Sequence, residues 1–422
     1  MRYVGWTWYY KASRLDGETV SSIQKPPKPI HPFPARMAAS IPWDELQSPK
    51  RLRVLDPMAG SGTTLVVARA LGHEPIGFDT DPLAVLLART WCADVSRRAT
   101  LRRAKVIYRA AGLEALGMPL RRAYPDRTDG ETKKFLRYWF DDINRKQLKA
   151  LSARIAATRD YIVRCVLWCA FSRLIIAKQA GASRALDLSH SRPHRVDSKA
   201  PIRPLAFFLS AVKTVLNGTP FDRSSTAPPA SVDLADARQL PLGDATVDVV
   251  ITSPPYLNAI DYLRGHKFAL VWMGYTIGEL RKVRSENIGT EASRAATPTS
   301  EVAAKAFRAM RCISRLPRRH QAMLARYALD MNDALREISR VLVPRGRAIL
   351  VVGDCSIRGV YVHNSRAIAA LAEEHGFRVE SISRRRLPAN RRYLPPPSIS
   401  SSGDRFGNRL RTEVLLRLSK AV

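Results

Sequence analysis

Two short stretches bring chemically useful residue types together at the ends of strand-like runs. The first is DPMAGSGTT, Asp56 to Thr64, which follows RLRVL and leads into TTLVVARALG. A strand that enters a Gly-containing turn and leaves as a helix points the N–H groups of the helix start at a ligand. Gly60 and Gly62 let the backbone approach that ligand with no Cβ in the way. The third glycine of a dinucleotide fingerprint is missing, because Leu65 stands there, and no G-K-[ST] ending makes a phosphate loop. A lone GxG fits a plain structural turn as well as it fits a site. Asp79 tips the balance. It follows Gly62 by 17 residues at the end of EPIGFD, where doubly wound folds hold a ribose hydroxyl pair with an acid. Asp56 adds a second carboxylate beside the turn. Such acids suit a ligand carrying an ammonium and a sulfonium better than one carrying a pyrophosphate.

The second stretch is TSPPY, Thr252 to Tyr256, which closes the run VDVVIT. Proline has no backbone N–H and cannot continue a sheet ladder, so Pro254 and Pro255 end a strand in a stiff turn. Ser253 brings a hydroxyl to that turn and Tyr256 an aromatic face.

The elements that must position these residues follow from the patterning. RLRVLDP reads as a buried strand, TTLVVARALG as a helix ending at Gly72, EPIGFDTDP as a second strand and LAVLLARTWCADV as a second helix. This βαβα order predicts an α/β fold with a doubly wound, Rossmann-like, mainly parallel sheet. The alternation stops at about Ser96. From there to Thr226 the pattern is helical and strongly basic, with no clear strand, and it closes on the Pro-rich linker STAPPAS. The sheet resumes with SVDLADARQL and VDVVITSPPY. A polar stretch from about Gly278 to His320 is followed by the helix ALDMNDALREISRVL, the turn PRG and the strand RAILVVGD. GFRVESISRRRL and RTEVLLRLS supply two last strands, expected to form a hairpin at the sheet edge. Three parts result: residues 1–95, an N-terminal arm and cofactor-binding half; residues 96–226, an inserted, mainly helical, basic domain; and residues 227–422, a catalytic half.

The charge balance narrows the partner. Lys and Arg number 69 against 37 Asp and Glu, a net charge of +32. Such an excess points to a polyanion, because each cationic contact to a phosphate releases condensed counterions. Arg outnumbers Lys roughly three to one, which suits bidentate contacts to phosphate and guanine. The five cysteines show no CxxC, and Cys165 and Cys169 sit four apart in RCVLWCAF, the spacing of a buried helix face. His190 and His194 have the spacing of a helical metal pair, but Pro193 between them argues against a helix, and no metal is expected. Arg192 and Arg195 in the same segment read better as phosphate contacts. No secretory leader opens the chain and no apolar run reaches bilayer length, since YIVRCVLWCAFSRLIIAK is broken by Arg164 and Arg173. No membrane partner is expected, and a reducing cytoplasm is the expected compartment.

DPMAGSGTT followed by GFDTDP resembles the S-adenosylmethionine-binding motif of the amino-methylating DNA methyltransferases. TSPPY resembles their catalytic motif, [DNS]-P-P-[YFW]. HPFPARMA, His31 to Ala38, resembles their N-terminal cofactor motif, and Asp236 in DLADARQLPL matches the position that approaches the cofactor adenine. The resemblance covers somewhat more than half of the chain and skips the insert. It implies S-adenosyl-L-methionine as cofactor, held by Phe33, Pro34, Asp56, Pro57, Ala59, Gly60, Ser61, Gly62, Thr63, Asp79 and Asp236. It also implies a catalytic turn of Ser253, Pro254, Pro255 and Tyr256 acting on a base flipped out of DNA.

The chemistry of that turn can be stated physically. An exocyclic amine is a poor nucleophile, because its lone pair is delocalised into the ring. Its methylation needs acceptors that hold the NH2 as it becomes tetrahedral. The Pro254 carbonyl offers one acceptor, Ser253 a second oxygen, and Tyr256 a face on which the base stacks. Serine in the first motif position favours cytosine N4 as the target, with adenine N6 as the near alternative. An RNA base methyltransferase and an inactive nucleic-acid-binding core are the other readings, and the intact SPPY turn and acids argue against decay. DNA is the expected partner, and a cognate restriction endonuclease is one the resemblance allows. Target reading is expected from the basic insert or from the Gly278–His320 stretch, and the loop SRRRLPANRRYLPPPS reads equally as a further clamp or as a solvated surface loop.

Overall fold

The computed structural model describes residues 25–34, 36–177, 181–188, 193–198, 201–257, 261–289, 301–311, 313–387 and 412–422. After a short helix α1 (Ser40–Glu45), the elements alternate as β1 (Arg53–Asp56), α2 (Thr63–Ala70), β2 (Glu74–Asp79) and α3 (Pro82–Trp91). The insert follows with α4 (Arg97–Gly117), α5 (Gly130–Trp139), α6 (Asp142–Ala156) and α7 (Tyr161–Ile175). A two-residue ribbon, β3 (Ala185–Leu186) and β4 (His194–Arg195), then leads to α8 (Pro204–Gly218). The sheet resumes with β5 (Ser231–Leu234) and β6 (Val247–Thr252). Three helices come next: α9 (Leu263–Leu270), α10 (Ile277–Glu286) and α11 (Glu301–Met310). The chain continues through α12 (Arg318–Val341), β7 (Leu342–Val352), the ribbon β8 (Cys355–Ile357) and β9 (Val360–Val362), and α13 (Asn364–Glu373). It closes on β10 (Phe377–Arg386) and β11 (Thr412–Lys420).

The seven-stranded sheet runs β10-β11-β7-β6-β1-β2-β5. β5, β2, β1, β6 and β7 are mutually parallel, and β11 lies antiparallel between β7 and β10. The doubly wound sheet and its terminal hairpin are thus as expected. The chain builds outward from β1 to β2 and β5, then returns to β6 on the other side of β1. Ligands of open α/β sheets bind beyond the carboxyl ends of the strands at such a reversal. Both chemically suggestive turns end there, one on β1 and one on β6.

Local chemistry fixes the helices. Gly72, at φ +82°, follows the C-cap of α2 in the left-handed conformation expected of it. Asp81, Ser96, Asp129, Asp141 and Asp160 each accept a backbone N–H at the start of a helix, a cap worth about 1 kcal/mol. Thr276 and Glu279 form a reciprocal capping box on α10. That box nucleates a helix inside the stretch read only as polar, and α11 adds another. The PRG sequence, read as a turn before a strand, lies inside β7, where the register against β6 is irregular and Arg345 has φ +63°. The ribbon β3–β4 is a small strand pair within the insert, too short to show in hydrophobic patterning.

The insert has no core apart from the sheet's helices. One hydrophobic cluster runs from Leu65, Val66 and Leu83 through Leu148, Val166 and Phe208 to Phe268 and Trp272. Cys165 and Cys169 are buried on α7, as their spacing implied. Arg69 of α2 ties the ends of the insert to the sheet. It is 1% exposed, its Nε donates to Pro228 O at 2.9 Å, its Nη1 donates to Cys92 O, and its guanidinium lies 4.1 Å from the Phe221 ring centre. Among the described residues, no helix is long and apolar enough to cross a membrane.

Candidate active site

A cavity of about 380 Å³ opens beyond the carboxyl ends of β1, β2 and β6. Asp56, Pro57, Ala59, Gly60, Ser61 and Thr63 line it from the first turn, and Asp79 from the end of β2. Phe33, Asp236, Ser253 and Pro255 complete the expected residues on its wall. Pro34, Gly62, Pro254 and Tyr256 do not line it, and each has a structural place. Pro34 and Pro254 are buried. Gly62 has φ +86°, and a Cβ on it would lie 2.7 Å from Ala88 Cβ, so its bareness lets α2 pack on α3 rather than opening the cavity. Tyr256 lays its ring against Gly353, where a Cβ would come within 3.0 Å of Tyr256 Cδ1.

The turn after β1 is held by its own backbone. Ala59 N donates to Phe78 O and Gly62 N to Ala59 O, both at 2.8 Å. Gly60 N donates to Asp79 Oδ2 at 2.8 Å, and Asp81 N to Asp79 Oδ1 at 2.9 Å. Asp79 is thereby fixed but remains short of a cation. Burial, and then the neighbouring Asp81 charge, push its pKa up to about 7. Burial likewise raises Asp56 to about 6. Neither carboxylate makes an ion pair among the described residues. The other acids on the wall are already compensated. Asp81 Oδ2 meets His266 Nδ1 at 2.5 Å, Asp236 is forked by Arg238, and Asp261 pairs with Arg264 and Arg284.

Ser61 Oγ and Thr63 Oγ1 are buried without a hydrogen-bond partner at the start of α2. A buried hydroxyl left unpaired costs about 1–3 kcal/mol, so these two mark where a polar ligand group belongs. The cavity therefore offers donors for an anion at the helix start and uncompensated acids for a cation or for hydroxyl donors. An amino-acid zwitterion joined to a ribose has that distribution of groups.

The N-terminal arm is anchored by the insert. His31 is buried with Nε2 at 2.9 Å from Ser172 Oγ, and Arg173 donates to Ile30 O at 2.8 Å. This sets Phe33 over Gly60, where a Cβ would lie 3.4 Å from the Phe33 ring. Phe33 also stacks on Tyr262 at 5.6 Å and contacts His266 at 5.1 Å. Burial, followed by the Arg173 charge, holds the His31 imidazole well below its ordinary pKa, so it is neutral.

On the turn after β6, Ser253 Oγ donates to Val351 O at 3.2 Å. Its proton is thus committed to the sheet, and its lone pairs are left to accept. Sequence reasoning passed over Asp81, Tyr262 and His266. The signal for them was faint but present: a second acid in FDTD, and an aromatic and a histidine four apart in DYLRGH, just after the Pro-Pro turn. Among the described residues no group of three or more His, Cys, Asp and Glu is arranged to hold a metal ion. His194 pairs with Asp187 at 3.6 Å, while His190, Arg192 and most of the loop SRRRLPANRRYLPPPS lie outside the described residues.

Comparison with known proteins follows the same lines. The chain is 20% identical to the Type II methyltransferase M.MvaI of Kocuria varians over 433 aligned residues, which cover 93% of this chain and 90% of the relative. The chain is homologous to a type II methyltransferase. No family model matches it. Among solved structures, a SAM-dependent methyltransferase from Methanosarcina mazei is similar at a TM-score of 0.33 and 9% identity, over 90% of this chain and 97% of that one. A candidate DNA modification methylase from Thermus thermophilus, complexed with S-adenosyl-L-methionine, is similar at a TM-score of 0.23 and 19% identity. That match covers 44% of this chain and 52% of the other.

Proposed function

We propose that this chain transfers a methyl group from S-adenosyl-L-methionine to the exocyclic N4 amine of cytosine in DNA, acting on a base turned out of the helix. The observation that carries this reading is the meeting of the two turns in one cavity. The uncompensated acids Asp56 and Asp79 lie on one side and the Ser253–Pro255 turn on the other. The homology to a type II methyltransferase and the +32 charge support a nucleic-acid substrate.

The residues present fit the cofactor. Asp79 would accept from the ribose hydroxyls, Asp56 would compensate the ammonium, and the Ser61 and Thr63 hydroxyls with the α2 N–H groups would hold the carboxylate. Phe33 walls the site, and the segment at Asp236 would flank the adenine. When bound, the sulfonium supplies an electrophilic methyl group. The protein's part is to make the amine nucleophilic. With its own proton on Val351 O, Ser253 Oγ accepts one amine hydrogen and the Pro254 carbonyl accepts another. Two acceptors pull the nitrogen toward a tetrahedral geometry and free its lone pair. Once the methyl group has moved, the nitrogen carries a positive charge and its extra proton is released to water. Tyr256, braced on Gly353, gives the base a face to stack on.

Cytosine is preferred to adenine because serine opens the catalytic motif. Adenine N6 is the near alternative, since the same acceptors serve either amine. Mass spectrometry of nucleosides from DNA incubated with the protein and S-adenosylmethionine tests both. N4-methylcytosine is the expected product. N6-methyladenine would overturn the base assignment, and methylation of RNA alone would overturn the substrate.

A further inference from the structure

The insert and the Gly278–His320 stretch both looked fit to touch nucleic acid, and in the fold they meet. Ile277 N at the start of α10 donates to Thr132 Oγ1 of α5 at 3.0 Å. Arg127 pairs with Glu279 at 3.1 Å, and Arg281 pairs with Glu131. Together with α9, these helices enclose a second cavity of about 510 Å³, which shares Arg264 and Arg284 with the first. The two cavities are therefore neighbours across a pair of guanidinium groups.

The second cavity is lined by both aromatic and cationic side chains. Phe135, Tyr138 and Trp139 line it from α5, and Lys134, Lys267 and Arg281 stand around them. Glu131 is the acid on this wall, and it is taken by Arg281, while Asp261 holds Arg264 and Arg284. Lys134 and Lys267 make no ion pair among the described residues. The Lys267 ammonium lies 5.3 Å from the Phe135 ring centre, and Arg195 covers the Tyr138 ring at 4.3 Å. Burial, and then the charges of its neighbours beginning with Arg284, lower the Lys267 pKa. The mutual repulsion of these cations falls when an anion enters. The insert that forms one wall carries 27 Lys and Arg against 10 Asp and Glu between Ser96 and Thr226.

We propose that the groove between α5, α9 and α10 seats the sugar-phosphate backbone of the DNA strand beside the reacting base, with Lys134, Lys267 and Arg281 as its phosphate contacts. This rests on the DNA reading above and deepens it, since it makes the two sequence candidates one surface. Continuity with the active cavity through Arg264 and Arg284 favours a chain that runs from one to the other. The aromatic lining suits sugars and bases better than it suits an acidic peptide.

The test is DNA binding by the full chain across a salt series, read by fluorescence anisotropy of a labelled duplex. Each phosphate contact contributes about 0.9 to the slope of log K against log salt. The double variant Lys134→Gln/Arg281→Gln is expected to lower that slope by roughly 2, with S-adenosylmethionine affinity unchanged as a check on folding. The control is Lys133→Gln/Lys282→Gln, which removes two exposed cations of the same helices that lie outside the groove; it is expected to lose less than half as much. Equal losses in the two pairs would overturn the proposal in favour of general attraction. So would no measurable DNA binding by the wild type, or a loss confined to RNA of the same sequence. Because this assay reads binding alone, the outcomes separate. A wild type that binds DNA without methylating it overturns the proposed reaction and leaves the groove standing. A wild type that methylates DNA, with an unaltered slope in the groove pair, overturns the groove alone.

Discussion

Replacing Asp79 by asparagine isolates one charge at the point where the cofactor is expected to bind. Asp79 accepts two backbone N–H groups and is buried, with its pKa raised to about 7. A ligand that donates hydroxyls to the ionised carboxylate must meet it deprotonated. At pH 8 the group is about nine-tenths ionised and at pH 6 about one-tenth, so affinity for S-adenosylmethionine should weaken about tenfold between them. The sign for stability is opposite. A carboxyl raised from 3.8 to about 7 in the folded state favours folding when protonated, so the free protein loses up to about 4 kcal/mol as pH rises across that window. Cofactor binding recovers part of that loss. The asparagine variant has no charge to titrate at this position, so both dependences should flatten, at the cost of one backbone N–H left facing the amide, about 1–3 kcal/mol. Isothermal titration of wild type and Asp79→Asn from pH 6 to pH 8.5 measures this. The ligand's own amine titrates equally against both proteins and cancels in the comparison. Equal pH slopes in the two proteins would refute the role given to Asp79.

Three other outcomes are expected. Tyr256→Ala should slow methyl transfer strongly while leaving cofactor affinity nearly unchanged, and a large loss of cofactor binding in equilibrium titration would contradict its place against the base. Gly62→Ala forces a Cβ to 2.7 Å from Ala88 at φ +86° and should cost about 1–3 kcal/mol of stability, read as a lower thermal midpoint. Arg69→Met removes the guanidinium that joins Asp94, Cys92 and Pro228; chemical denaturation should report a loss of about 3–5 kcal/mol, because the buried carbonyls lose their donor.

What the sequence determined by itself was the local chemistry. The strand–turn–helix at Asp56–Thr64, the acid ending β2 and the Pro-Pro stop on β6 are each written in adjacent residues, since short-range patterning and the missing N–H of proline act within a few positions. The sheet class followed, because βαβ units admit one hand and few orders. The meeting of distant segments was decided only by tertiary structure. That Gly62 serves helix packing, that Arg238 reaches Asp330 across 92 positions, and that Asp81 pairs with His266 across 185 positions depend on contacts no local pattern encodes. The same holds for the insert. Its basic helices were legible as helices. Their shared core with α2 and α3, and the groove they form with α9 and α10, arise from side chains packing over long sequence separations, where many arrangements satisfy the same periodicity.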